Sequence, residues 1–323
     1  MNENIDQSFF KLTPDQVLDA IESVGIQPEA ALLALNSYEN RVYQFKDYDE
    51  KKLVVKFYRP NRWSNQQILE EHAFSADLAN NEIPVIAPLT FNGESLFEFS
   101  GFRFSLFECR GGRAPELEDE KTLQWIGRFI GRIHAIGETR KFDYRPELTI
   151  NSFAEKSVEF LLAENFIPNH ILPAYRAISE QLIEICQQRF EQLGDYPRIR
   201  LHGDCHPSNV LWTDDGPHFV DFDDARSGPA VQDLWMLIND SSDRHLWNKL
   251  LEGYEDFAEF DDRQFKIVEP LRTIRMIHYS AWLARRWQDP SFKHNFPWFN
   301  TSRYWEEHIL SLKEQLAVIL NEF

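Results

Sequence analysis

His202-Gly203-Asp204-Cys205-His206-Pro207-Ser208-Asn209, followed closely by His218-Phe219-Val220-Asp221-Phe222-Asp223, is the stretch on which the fold turns. It sets an aspartate five residues before an asparagine, and a second aspartate twelve residues beyond that asparagine. Short apolar runs at 199–201, 210–212 and 218–222 alternate with polar turns, which predicts strands. Asp204 and Asn209 then lie on a loop between two strands, and Asp221 closes the next one. Phosphoryl transfer requires such a set: a carboxylate to accept or orient the proton of an attacking hydroxyl, and oxygen donors to hold a metal ion. The pattern assigns Asp204 as catalytic base, with Asn209 and Asp221 as ligands of Mg2+ and Asp221 also counted as catalytic. The simpler reading of the loop alone is a strand cap followed by a turn asparagine. The carboxylate at 221, placed where a second metal ligand belongs, decides for chemistry.

A site of this kind needs a lysine on an upstream strand and a glutamate on the helix after it. Lys56 stands in the apolar run Leu53-Val54-Val55-Lys56-Phe57, where a charge demands a partner. The competing reading is a surface lysine on an edge strand. The following segment, Ile68-Leu69-Glu70-Glu71-His72, offers two carboxylates, and Glu71 is the choice for its distance from Pro84. Between the first two strands, Leu35-Asn36-Ser37-Tyr38-Glu39-Asn40-Arg41 is where a phosphate-covering loop belongs, yet it has no glycine. Backbone N–H groups and the Ser37 hydroxyl are its candidates for capping phosphates, against a plain turn. Glu39 there would repel a phosphate. Phe107 to Cys109, just ahead of Gly111-Gly112, fits a hinge between lobes whose backbone meets an adenine edge, so Phe107 and Cys109 join Ser37, Lys56 and Glu71 as nucleotide contacts. A buried strand without a ligand fits the same residues.

Gly228-Pro229-Ala230-Val231-Gln232-Asp233-Leu234-Trp235 puts Asp233 in what reads as the first turn of an apolar helix. Asp233 is expected to accept hydrogen bonds from the catalytic-loop backbone, the alternative being a mere complement to the helix dipole. His202 and His206 lack a third ligand at metal spacing and are read as orienting the loop. Trp282, Trp287, Trp298 and Trp305 are expected in the core.

The rest of the chain sets limits. At 323 residues it exceeds the size of one ordinary core, so two lobes are expected. With 34 Lys plus Arg against 52 Asp plus Glu, the formal charge of -18 disfavours nucleic acid and anionic membranes as partners. A bound nucleotide then needs local cations. Three dispersed cysteines, Cys109, Cys186 and Cys205, suggest neither a disulfide framework nor a zinc site. Residues 1–12 lack the apolar stretch of a signal peptide, and no long apolar run occurs, which points to a cytoplasmic location. A monomer is the expectation.

Helical spacing marks 13–24, 64–80, 119–137, 171–192, 245–260, 267–288 and 302–320. Short alternating or apolar segments at 32–36, 41–45, 53–58, 89–91, 95–99 and 102–107 predict an antiparallel sheet. The fold class is therefore α+β: a sheet lobe with one main helix over 1–109, binding nucleotide, and a mainly helical catalytic and substrate lobe over 110–323.

Longer strings carry a resemblance. Leu35-Asn36-Ser37-Tyr38-Glu39-Asn40-Arg41-Val42-Tyr43-Gln44-Phe45, Val54-Val55-Lys56-Phe57-Tyr58-Arg59-Pro60, Leu201-His202-Gly203-Asp204-Cys205-His206, Gly228-Pro229-Ala230-Val231-Gln232-Asp233-Leu234-Trp235-Met236 and Asn295-Phe296-Pro297-Trp298 are similar to the stress response kinase A family of bacteria, within the aminoglycoside phosphotransferase and choline kinase group. The resemblance implies a bilobal protein-kinase-like fold and ATP-dependent phosphorylation of protein serine or threonine, including autophosphorylation, in a cytoplasmic stress response. It assigns Asp204 as proton acceptor, Asn209 and Asp221 as magnesium ligands and Ser37 as an ATP contact. The residues themselves leave two other readings open. Only six residues separate Asp221 from Gly228, too few for a peptide-holding activation segment, which suits a kinase of small alcohols with Asp223 and Asp224 free to attract a cation. A nucleotide-binding pseudokinase is the third reading, and the intact Lys56, Asp204, Asn209 and Asp221 set argues against it.

Overall fold

Alternation of apolar and polar residues across 41–57 and 97–108 can bury one face of a sheet, and that is how these segments fold. A computed structural model describes residues 9–238 and 242–321. Strands β1 (Leu33–Ala34), β2 (Arg41–Lys46), β3 (Lys52–Phe57), β4 (Phe97–Phe99) and β5 (Phe102–Glu108) form one sheet in the order β1-β2-β3-β5-β4, antiparallel throughout. Phe45, Val55, Phe57, Phe104 and Leu106 bury one face against Val17, Ala20 and Ile21 of helix α1 (Pro14–Ser23). Thr13 and Gln16 close the start of α1 with a reciprocal capping box. Helix α2 (Asn65–Asn80) starts on a second such box, Ser64 with Gln67. Its Phe74 and Leu78 pack into the larger core of the second half, so α2 links the two parts.

That second half holds α3 (Glu120–Glu138), α4 (Lys156–Ala163), α5 (Leu172–Leu193), α6 (Arg244–Tyr254), α7 (Val268–Arg285), α8 (Pro290–Asn295) and α9 (Ser302–Asn321). Two small ribbons, β6 (Ile199–Leu201) with β9 (Arg226–Gly228) and β7 (Val210–Thr213) with β8 (Gly216–Phe219), present the loop that follows β6. Helices α3 and α6 approach through glycine: a Cβ at Gly127 would lie 2.0 Å from the Leu250 carbonyl oxygen and one at Gly253 1.9 Å from that of Gln124. The sheet half and the helical half are stitched at β8, where Phe219 N–H donates to Pro84 O (2.8 Å) and Ile86 N–H to Phe219 O (3.1 Å).

Several expected elements take another form. The strand at 32–36 shrinks to two residues, and 89–91 makes only isolated bridges. The helix expected over 245–260 stops at Tyr254. The strand expected over 218–222 ends at Phe219, so Asp221 is not a strand terminus: it sits beyond the strand at φ 61, ψ 63. Residues 230–237 wind as two 3-10 turns rather than an α-helix, with Asp233 closing the first of them. A π-helical turn at Asn151–Glu155 leading into α4, and the short α8, had no counterpart among the expected elements. Trp305 is fully buried as expected, whereas Trp298 is 44% exposed. The three cysteines are free, and among the described residues no helix is long and apolar enough to cross a membrane. Of the segment 1–12, residues 1–8 lie outside the described residues.

Candidate active site

The loop after β6 has to hold a sharp reversal and does so on one glycine. Gly203 has φ +84, and a Cβ there would lie 2.2 Å from the Asp224 carbonyl oxygen, so only glycine fits. Asp233 anchors the turn from below: its two carboxylate oxygens accept from His202 N–H (2.7 Å) and Gly203 N–H (2.8 Å), while His134 Nε2 stands 3.1 Å from Oδ2. This is the loop-supporting position expected of Asp233, reached from a 3-10 turn. His202 adds a second brace. Its Nε2–H donates to Val220 O (2.8 Å) and its Nδ1 accepts from Asp204 N–H (3.3 Å), which ties Asp204 to the segment bearing Asp221.

Asn209 closes the loop. Its side-chain NH2 donates to the Asp204 carbonyl (2.9 Å), which fixes the amide and turns its oxygen away from that contact. Asp204 lies between two partners, with His206 Nε2 3.4 Å from Oδ2 and the Arg275 guanidinium Nη1 2.8 Å from Oδ1. The Arg275 approach is outside hydrogen-bond geometry, so Oδ1 has a charge partner and no hydrogen-bond donor. Burial pushes the Asp204 carboxyl up, but His206 and Arg275 outweigh it and hold it below the ordinary range. It is ionised at neutral pH, as a proton acceptor must be.

Lys56 reaches this centre from β3, which lies in the middle of the sheet and so rules out the edge-strand reading. Its Nζ is 2.8 Å from Asp221 Oδ1 and 3.5 Å from Asp223 Oδ1. Burial pulls the ammonium down, while Asp221, Asp223 and Glu71 together push it well above the usual lysine range. Glu71, expected as the ion-pair partner of Lys56, pairs instead with Arg145 (3.1 Å). Burial raises the Glu71 carboxyl to about 7 against the pull of Lys56 and Arg145. Glu70 points elsewhere and accepts from the backbone N–H groups of Tyr144 (2.9 Å) and Arg145 (2.7 Å). The reason is Arg145, whose fully buried side chain also donates to the carbonyls of Gln67 (2.7 Å) and Asp223 (2.6 Å), fastening α2 to the turn after Asp221.

The sequence reading of Asp223 and Asp224 as free attractors of a cation is overturned. Both are occupied. Arg62 binds Asp223, which also accepts from Asn40 Nδ2 (3.1 Å), and Asp224 takes Arg62 (2.8 Å) and Arg226 (2.7 Å). Burial raises both carboxyls and these arginines reverse the effect, leaving each below its ordinary range. Glu39 is likewise neutralised: Arg286 (2.6 Å), Arg59 (2.9 Å) and the Trp282 indole N–H (2.7 Å) surround it. The loop carrying Ser37 is thereby tied to α7, and Ser37 Oγ accepts from Asn40 N–H (3.3 Å). It is a closed turn with Ser37 half-buried, and Ser37 makes no described contact with Lys56 or Asp221.

Phe107 lies in β5 opposite Val54, and Cys109 follows directly after the strand. Cys109 N–H donates to Lys52 O (3.3 Å), so the donor expected for an adenine edge is already engaged in the sheet. Gly112 then passes so close to Leu211 that a Cβ would meet its side chain at 2.7 Å. Arg62, Arg145, Asn40 and Arg275 were not singled out from sequence. Their partners lie far along the chain, and no local pattern announces them.

The donor set suits a hard cation. An amide oxygen on Asn209 and a half-exposed carboxylate on Asp221 are the ligands that magnesium takes beside phosphate oxygens and water. Among the described residues no cluster of three or more His, Cys, Asp or Glu could hold a metal without such extra ligands.

Comparison with known proteins agrees with this geometry. A model of the phosphotransferase enzyme family matches residues 32–268. The stress response kinase A of Escherichia coli (strain K12) is 43% identical over 314 residues, 97% of this chain and 95% of that protein. A protein of Salmonella typhimurium named serine/threonine protein kinase RdoA is 41% identical over 321 residues, 99% of this chain and 97% of that one. Among solved structures, the amicoumacin kinase hAmiN, in complex with AMP-PNP, Ca2+ and Ami, superposes with a TM-score of 0.71 at 19% identity, covering 86% of this chain and 88% of that one. At that identity the likeness is one of fold.

Proposed function

This chain belongs to the phosphotransferase enzyme family and to its stress response kinase A group, and from that premise we propose that it transfers the γ-phosphoryl group of ATP, with Mg2+, to serine or threonine hydroxyls of proteins, its own included. The observation that carries the reading is the convergence of Lys56, Asp204, Asn209 and Asp221 on one cleft from β3, the catalytic loop and the turn after β8. The acceptor hydroxyl gives its proton to Asp204, its oxygen bonds to the γ-phosphorus, the bond to the β–γ bridging oxygen breaks, and ADP leaves. Asn209 and Asp221 would hold Mg2+, which when bound offsets phosphate charge. Lys56 supplies a cation for the phosphates, with Glu71 and Arg145 setting the field around it. Ser37 and the backbone of its loop cap the phosphates, and the chain around Phe107 and Cys109 borders the base. His202 and Asp233 position the loop without touching reactants. On this reading residues 1–109 form the nucleotide-binding lobe and 110–323 the catalytic and substrate lobe of a cytoplasmic, monomeric enzyme of bacterial stress response. The nucleotide analogue and divalent cation bound by the amicoumacin kinase support ATP and a metal as the co-substrate pair here.

A second reading, phosphorylation of a small alcohol, draws on the brevity of the segment between Asp221 and Gly228. The two readings separate on incubating wild type and Asp204→Asn with labelled ATP and magnesium, alone, with a model protein, and with a panel of small alcohols. Label on protein in the wild type only supports the protein kinase. Rapid turnover of one small alcohol without protein labelling sinks it, and nucleotide binding without any transfer would leave a pseudokinase.

A further inference from the structure

Arg275 stands in the middle of α7 and points its guanidinium at the base, 2.8 Å from Asp204 Oδ1, with 39% of its side chain exposed. Any hydroxyl that hands its proton to Asp204 lies within about 3 Å of one carboxylate oxygen, hence within roughly 6 Å of the guanidinium if that oxygen is Oδ1 and roughly 8 Å if it is Oδ2. Arg275 is therefore beside the acceptor rather than beneath it. We propose that Arg275 is a specificity-determining residue for the acceptor, admitting hydroxyls whose neighbouring groups are neutral or anionic and excluding those with a cation next to the hydroxyl. The proposal rests on the phosphotransferase reading above and names the acceptor class for that site.

Three observations support it. The carboxylates that could hold a cationic acceptor are spent, Asp223 on Arg62, Lys56 and Asn40, and Asp224 on Arg62 and Arg226. The helix that walls the site is itself positive: α7 and its cap carry Arg272, Arg275, Arg285 and Arg286 against one acid, Glu269, in a chain of net charge -18. Glu269 is buried and bound to Arg272 (3.2 Å) and Gln315 (2.6 Å), so it offers nothing to a ligand.

The same face of α7 continues outward one turn to Tyr279, 42% exposed and stacked on Trp282 with ring centroids 5.7 Å apart. Tyr38, 46% exposed, arrives from the sheet lobe and packs on Phe296 at 4.8 Å. These rings give the body of an acceptor an apolar wall. A half-exposed ring also attracts cations, but repulsion from a full positive charge is the larger effect.

The test uses the full chain, ATP and Mg2+ with five probes: one-serine peptides flanked by alanine, by aspartate or by lysine, and the alcohols glycerate and ethanolamine. Wild type should use the alanine and aspartate peptides in preference to the lysine peptide, and glycerate in preference to ethanolamine, by on the order of tenfold to a hundredfold in kcat/KM. Arg275→Met should erase the preference by improving the cationic probes, and Arg275→Lys should keep its direction. A preference for cationic probes in the wild type, or one that survives Arg275→Met, overturns the proposal and leaves the phosphotransferase reading intact. If label reaches only the protein itself, a lysine or arginine beside the labelled residues overturns it equally, and small or acidic neighbours support it. No transfer from ATP to any acceptor or to water overturns the phosphotransferase reading and this proposal together.

Discussion

Asparagine at position 233 would keep the shape of Asp233 and remove its charge and one of its two acceptor oxygens. Those oxygens take three donors in a site only 1% exposed: Gly203 N–H at 2.8 Å on one, His202 N–H at 2.7 Å and His134 Nε2 at 3.1 Å on the other. If the asparagine oxygen stays on the side of His202 and His134, its NH2 faces the Gly203 N–H, two buried donors head to head. The lost charge-assisted bond costs about 1.5–3 kcal/mol and the stranded donor about 1–3 more, so Asp233→Asn should lose on the order of 3–6 kcal/mol. At roughly 2–4 °C per kcal/mol, the melting temperature should fall by on the order of 10 °C. Asp204 immediately follows Gly203, so the base shifts with the turn, and a displacement near 1 Å costs about a hundredfold in kcat. Thermal unfolding and steady-state transfer on the same preparations read both effects. A variant that melts within about 2 °C of wild type and turns over within threefold of it would refute the anchoring role assigned to Asp233.

Lys56→Met removes the cation that binds Asp221 at 2.8 Å, and should lower transfer by about a hundredfold or more while raising the KM for ATP, measured by initial rates. Gly203→Ala must leave φ +84 or push against the Asp224 carbonyl 2.2 Å away, so it should cost about 1–3 kcal/mol in urea unfolding and abolish transfer; an active, equally stable variant would contradict the close approach. Burial holds the imidazoles of His72, His278 and His308 down, to about 3, about 3 and about 4 respectively. Folded values below unfolded ones mean stabilisation present above pH 6.5 and lost as pH falls toward 4, at roughly 1.4 kcal/mol per unit for each histidine. Glu71, raised to about 7, has the opposite sign between pH 7 and 4.5 and offsets about one of the three. Urea midpoints should therefore fall between pH 6.5 and 5, and His308→Gln should flatten the slope by about one proton; a flat profile in the wild type would contradict the buried neutral histidines.

The elements that set the fold were legible where the pattern was local. Strands β2, β3 and β5 and helices α2, α3, α5 and α9 follow from alternation, apolar spacing and caps such as Ser64 with Gln67. The candidate site loop is local too, because Asp204, Asn209 and Asp221 lie within eighteen residues of one another. What escaped depends on distance along the chain. The choice of Glu71 as partner of Lys56 rests on its spacing from Pro84, but Arg145 comes from 74 residues away to take it, out of a segment with no periodic signal. Asp223 and Asp224 were read as free because nothing near them is basic in sequence except Arg226, whereas Arg62 folds over both from 161 and 162 residues away. Asp221 itself was expected to end a strand. Its left-handed backbone carries the carboxylate toward Lys56 instead, a conformation that composition does not reveal. Trp298 is expected in the core because tryptophan usually is, yet it stays exposed while its ring meets Phe296 and Tyr304.

The central claim is that Asp204 accepts the acceptor proton in a site whose nucleotide and metal contacts are made by other residues. It is tested most directly by comparing wild type and Asp204→Asn for two quantities on one preparation: the rate of phosphoryl transfer from labelled ATP with Mg2+, and the affinity for nucleotide with Mg2+ by calorimetry. The account predicts that transfer falls by about 10²- to 10⁴-fold while nucleotide affinity changes less than about threefold. Transfer at the wild-type rate by Asp204→Asn would contradict it.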